Sequence, residues 1–216
     1  ELKEDTADTL RSIRKSLLKF SDNDARKALQ NELAGYETQM ESATDPDAIL
    51  QIQSKLEQMQ EQLNDVFFYP NIRADNMYSY GSEIIYGYDE DENVISAQAV
   101  LNCRILFGDA LENFEAETYS EDQTVSTSPC EDAEYAYVIH VSNAPSGLAF
   151  DIKVKVLANQ AAVDISQKIQ DCRKLMSPFV ETAALLADRA QIDQIAASEI
   201  STEESFDAAM NTLEEL

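Results

Sequence analysis

Met77-Tyr78-Ser79-Tyr80-Gly81-Ser82-Glu83-Ile84-Ile85-Tyr86-Gly87-Tyr88 is the stretch whose reading decides the fold. Side chains of an extended chain alternate between faces, so Tyr78, Tyr80, Ile84, Tyr86 and Tyr88 fall together on one side. Everything upstream of Tyr69-Pro70 repeats instead at three and four residues. The period therefore changes from helical to two near Pro70, and it changes back near Ala158. Those two changes predict an α+β chain with helices, then an antiparallel region, then helices.

Working backwards, Ile49, Ile52, Leu56, Met59, Leu63 and Val66 recur at spacings of three and four, with Gln and Glu filling most positions between. This is a coiled-coil-type seam on a third helix, ~33 Å long at 1.5 Å per residue. Thr44-Asp45-Pro46-Asp47 starts it, with a capping Asp45 and a proline at the first helical position. A first helix is predicted over 2–20, with Leu2, Thr6, Leu10, Ile13, Leu17 and Phe20 on one stripe. A second is predicted over about 24–42, with Leu29, Leu33, Tyr36 and Met40 aligned. Gly35 inside that helix costs about 1 kcal/mol relative to alanine. Short connections favour an antiparallel bundle, in which the seam either holds the three helices together or docks a partner helix or second copy.

Working forwards, Asp89-Glu90-Asp91-Glu92-Asn93 reads as a turn and Ile95 to Phe107 as a long half-buried strand. A further strand is predicted over 110–119, with Ala110, Phe114 and Ala116 inward, and a polar loop over 120–133. Glu134–Ser142 and Leu148–Ala158 complete a sheet of about five strands, whose short turns imply antiparallel pairing. Beyond Ala158, Ile165, Ile169, Cys172 and Met176 mark one helix, and a second starts at Phe179 and runs to about 198. Ser201-Thr202-Glu203-Glu204 is a capping-box signal for the last. These helices are expected to cover one face of the sheet. Residues 1–68 thus read as a helical, coiled-coil-like segment and 69–216 as an α+β domain, either separate or packed as one compact unit.

Sixteen Lys plus Arg against 41 Asp plus Glu give a net charge of −25. Residues 69–158 carry the deepest share, 4 basic against 16 acidic groups. Such a field repels phosphate backbones and anionic lipid surfaces, so nucleic acid and direct membrane insertion are not expected. Five Gly and five Pro argue against a glycine-rich nucleotide loop. The acidity, the polar surface and an opening Glu1-Leu2 without an initiator Met suggest export to the periplasm or exterior, while a cytoplasmic setting fits the same features.

Candidate chemistry is sparse. Asp89, Asp91 and Asn93 match the opening D-x-D-x-N of a calcium loop, supplying hard oxygen donors. The match then fails, because Val94 stands where the loop needs Gly and Val100 where it needs a bidentate Glu. A looser Ca²⁺ site completed from elsewhere is what remains; no other cofactor is indicated. His140 is the one histidine, so any Ser-His-Asp or Cys-His mechanism must run through it. It lies mid-strand between aliphatic neighbours without a nucleophile elbow, which favours a histidine satisfied by neighbouring backbone or a carboxylate. Cys103, Cys130 and Cys172 lack metal-ligand spacing, and all three disulfide pairings are open. The row Tyr78, Tyr80, Tyr86 and Tyr88 either packs within the sheet or presents an aromatic face to a partner.

The leading reading is a non-enzymatic protein-binding or assembly module, presenting a helical arm and an aromatic sheet face to a protein partner or a second copy. The alternatives are a small-ligand or Ca²⁺-binding sensory domain and, behind it, a carboxylate-based hydrolase.

Overall fold

Polar side chains cap the N-termini of the second and third helices, Asp45 as its sequence context predicts. In the computed structural model, which describes residues 2–216, Asn23 caps α2 (Asp24–Ser42) by accepting the Arg26 N–H. Asp45 caps α3 (Pro46–Val66) by accepting that of Asp47. The first helix, α1 (Leu2–Leu17), stops short of the predicted Phe20. Phe20 is instead turned into an aromatic cluster, its ring 5.8 Å from Phe150 and 6.1 Å from Phe67. Thr6 is buried on α1, yet its hydroxyl donates to Leu2 O at 2.8 Å, so that hydroxyl is not stranded. All six seam residues of α3 are buried.

Five strands form the main sheet: β2 (Met77–Tyr88), β3 (Val94–Ile105), β5 (Gln123–Pro129), β6 (Tyr137–Asn143) and β7 (Ala149–Leu157). Their order is β2-β3-β7-β6-β5. A separate two-stranded pair joins β1 (Asn71–Arg73) to β4 (Glu115–Glu117). β5, β6 and β7 make an antiparallel meander, with Val141 opposite both Val125 and Phe150, and Ile139 opposite Ile152. Ile139, Val141, Phe150, Ile152 and Val154 are buried, while His140 and Asp151 face solvent. The sheet as a whole is mixed, because β3 and β7 run the same way. Both exit at the same end, where Leu106 O accepts the Ala161 N–H and Gly108 O accepts from the Asn159 side chain. The antiparallel rule holds where a short turn joins the strands, and β3 and β7 share no such turn.

Two sequence expectations change. Residues 110–119 do not form a strand of the main sheet; only Glu115–Glu117 is extended, as β4 of the two-stranded pair. The amide of Asn76 takes over the backbone there, donating to Phe107 O at 2.8 Å and Ala110 O at 2.9 Å and accepting the Glu112 N–H at 3.0 Å. Asn113 adopts a left-handed backbone, φ 51°, which further interrupts extension. The fifth strand is β5, inside the stretch read as a polar loop. Its Thr124, Val125 and Thr127 carry strand propensity without an apolar period to announce it.

The chain divides into two compact units. The first holds the chain through Ile72, Gly81–Leu101 and Glu115–Lys155; the second holds Arg73–Tyr80, Asn102–Phe114 and Val156–Leu216. In the second, α4 (Gln160–Met176), α5 (Ala183–Ala196) and α6 (Glu203–Glu215) enclose Ile165, Ile169, Cys172, Met176, Ile192, Ala209 and Leu213. Helix α5 starts later than Phe179 because Thr182 caps it, accepting the Leu185 N–H, and this leaves Phe179 exposed in the connection. The capping box of α6 is Thr202 with Ser205, one residue beyond the predicted pair. Phe107 meets Phe206 of α6 edge-on at 6.0 Å. Among the described residues, no helix is long and apolar enough to cross a membrane.

Candidate functional site

With the α3 seam buried in its own bundle, the aromatic part of the sheet is the surface left over from the sequence reading. The β2–β3 hairpin of the first unit supplies it. Its tip is set by Asp89, whose carboxylate accepts the N–H groups of Asp91 (3.0 Å) and Asn93 (2.8 Å) and the Asn93 side-chain amide (3.1 Å). These bonds, led by the one from Asn93 N–H, hold the Asp89 carboxyl below the usual carboxylate range. Glu92 takes the positive φ, 63°, that closes the turn. The three residues of the calcium-loop match are therefore joined to one another by Asx-type bonds. No cluster of three or more potential metal ligands occurs among the described residues.

The four tyrosines are not equivalent. Tyr86 lies under α1, with Lys15 Nζ 4.0 Å from its ring centroid. Tyr88, 58% exposed, and Ile85 stand out from the hairpin with Ile95 of β3, also 58% exposed. Tyr78 and Tyr80 are exposed too, but they belong to the second unit's part of β2. Tyr135 is buried: its hydroxyl accepts from Gln98 Nε2 at 3.1 Å, and Lys153 Nζ sits 4.6 Å from its ring centroid.

A tyrosine outside the row does more for this edge. The Tyr69 hydroxyl donates to Glu83 O of β2 at 2.7 Å. Burial, then the neighbouring Tyr86 and Glu83, push its ionisation up to about 12. Because the folded value lies above the ordinary 10.0, this contribution to stability is complete below pH 10 and is lost as pH rises towards 12. Tyr69→Phe is expected to cost about 1 kcal/mol at neutral pH. It should also remove one late-ionising phenol from the ultraviolet difference titration. An unchanged titration curve would show that Tyr69 is not held in this way.

His140 is satisfied by a carboxylate, as its sequence context suggests, and also by a hydroxyl that the sequence does not reveal. Its Nδ1 is 2.8 Å from Asp151 Oδ1 of β7, and its Nε2 is 2.8 Å from Ser128 Oγ of β5. The register places Asp151 directly opposite His140, and Ser128 two residues along β5 from the opposite Ser126. With β5 read as a loop, Ser128 has no place in a sheet and the constellation cannot be assembled from sequence. The three cysteines are free thiols; Cys103 and Cys172 are buried, and burial pushes the Cys103 thiol up to about 11. Comparison with family models, curated proteins and solved structures finds no significant match to this chain.

Proposed function

We propose that the chain is a protein-binding module that receives an extended segment of its partner along the hairpin part of β2. The observation that carries this reading is the contrast between the two edges of the sheet. β2 is outermost, and apart from the Glu83 carbonyl, which Tyr69 takes, its hairpin presents an outer edge with Ile85 and Tyr88 exposed on it and Ile95 exposed on the neighbouring β3. An unpaired edge is a template for strand addition, with backbone bonds giving affinity and alternate side chains giving choice. The opposite edge, β5, is guarded: β4 lies against it, and Pro129 removes one of its N–H groups.

The acidic tip, with Glu90, Asp91 and Glu92 beside Asp89, selects against acidic partners and steers basic ones. The occupant that fits is an extended segment of alternating apolar residues with Lys or Arg at the end nearest the tip. An exported setting, as read from composition, belongs to the same proposal.

Panning a display library of short peptides on the full chain tests this. The expected enrichment is for alternating apolar peptides ending in basic residues. The Ile85→Lys variant, which sets a charge on the edge, is expected to weaken their binding by at least about tenfold in fluorescence anisotropy. Absence of an enriched pattern, or affinities indifferent to Ile85→Lys, would overturn the reading.

A further inference from the structure

Ser128, His140 and Asp151 occupy three adjacent strands of the first unit in the connectivity of a nucleophile, a general base and the group that orients it. The hydrogen bonds fix the proton positions by elimination. A carboxylate only accepts, so His140 carries its proton on Nδ1 and donates it to Asp151. In the neutral imidazole Nε2 is then an acceptor, and the Ser128 hydroxyl is its donor. The serine proton is aimed at the base while the Oγ lone pairs point elsewhere. The site is accessible, since the His140 side chain is 45% exposed and that of Asp151 56%. Lys153 on β7 is the other charged group facing this row, and it is engaged by Asp132 at 3.2 Å. From β5 the row receives only the uncharged Thr124, Ser126 and Ser128.

We infer that Ser128 is a histidine-activated nucleophile that accepts acyl groups from activated esters. The limitation to activated esters comes from what surrounds the serine. Cys130 N–H donates to Ala136 O; by the antiparallel alternation, Ser128 and Val138 then form a hydrogen-bonded pair, so the Ser128 N–H belongs to the ladder. The next residue, Pro129, has no N–H. The two backbone donors that most often build an oxyanion hole are thus unavailable, and loss of even one such donor costs about 10²–10³ in rate. Only acyl donors whose leaving groups depart without that help, such as aryl esters, fit the site. In the acylation step Ser128 Oγ bonds to the acyl carbon as its proton moves to His140 Nε2. The aryl oxide leaves and takes that proton. Water then attacks the acyl-serine, giving its proton to Nε2, and Ser128 Oγ recovers it as the carboxylic acid departs.

The full chain incubated with p-nitrophenyl acetate, followed by peptide mass spectrometry, tests this. Acetylation is expected on Ser128, with S126A unaffected and S128A unmodified at this peptide. H140Q is expected to slow Ser128 acetylation at least about tenfold, less than the usual ~10²–10⁴ of a general base because the site is open. Asp151 is a positioning residue, and D151N should slow the reaction while displacing its pH profile. A plain cross-strand polar ladder would give acetyl groups only on lysines, or equal Ser128 rates in wild type and H140Q with both folded by circular dichroism; either result overturns the inference. Failure here leaves the β2-edge proposal standing, because Ile85→Lys and H140Q act on different strands and are read by different measurements.

Discussion

Leu56→Ala is expected to lower the unfolding free energy by about 3 kcal/mol, within the range measured for leucine truncation in cores. Leu56 is fully buried at the middle of the α3 seam, in a bundle that also buries Leu10, Ile13 and Leu17 of α1. Truncation removes the transfer free energy of the lost carbons and leaves a cavity that a rigid bundle fills only in part. Leu50, on the same helix and half exposed, provides the control. Leu50→Ala should change stability by no more than about 0.5 kcal/mol. Urea titration reads both through the midpoint at constant slope. Equal effects at the two positions would mean that the seam does not face the bundle interior. A loss at Leu56 that depended on protein concentration would restore the seam as an intermolecular contact.

That contrast also marks what the sequence could reveal. The period of α3 is local information, and each of its six seam residues is buried, because packing follows directly from a stripe of apolar side chains. The caps at Asn23 and Asp45 are equally local, a polar side chain one or two residues from the amide it serves. Legibility ends where a distant residue decides. Residues 107–112 are organised by the amide of Asn76, more than thirty positions away, which replaces the ladder that an alternating pattern suggested. β5 carries Thr and Ser on its outer face and gives no apolar rhythm, so only its pairing with β6 makes it a strand. The tyrosine alternation in β2 was readable. Which ring is covered was not, since Lys15 of α1 selects Tyr86.

The candidate sites follow the same division. Asp89, Asp91 and Asn93 were conspicuous because charge and spacing lie in one short segment. The fold uses Asp89 to tie the turn through the amides of the other two. Ser128, His140 and Asp151 are separated by more than ten residues at each step and become neighbours only through strand register. A single histidine is a signal that any such chemistry must pass through it; which serine and which carboxylate it meets is a property of the sheet.

Phe150→Ala is expected to be the most damaging single truncation in the first unit, at about 4 kcal/mol. Phe150 is nearly fully buried on β7 and is the ring on which three aromatic side chains from two separate segments converge. Phe67 and Phe68, just beyond α3, place their centroids 4.8 Å and 6.0 Å away, and Phe20, just beyond α1, lies at 5.8 Å. The contacts with Phe20 and Phe68 are edge-on, so the positive rim of one ring meets the negative face of another. Each such pair adds about 0.5–1.5 kcal/mol beyond area burial. These gains are not independent, since one substitution removes them together. The backbone beside Phe150 is committed as well: Ala149 O accepts the Ser21 N–H at 2.7 Å, joining the α1–α2 connection to β7. Phe150→Leu keeps an apolar body in the site and should cost roughly 1–2 kcal/mol. Urea unfolding followed by far-ultraviolet circular dichroism measures both, and near-ultraviolet ellipticity from the aromatic cluster should fall in Phe150→Ala. If the alanine variant lost less than about 1 kcal/mol, the convergence of helical and sheet segments on this ring would be wrong, because a buried phenylalanine with three aromatic neighbours cannot be removed so cheaply.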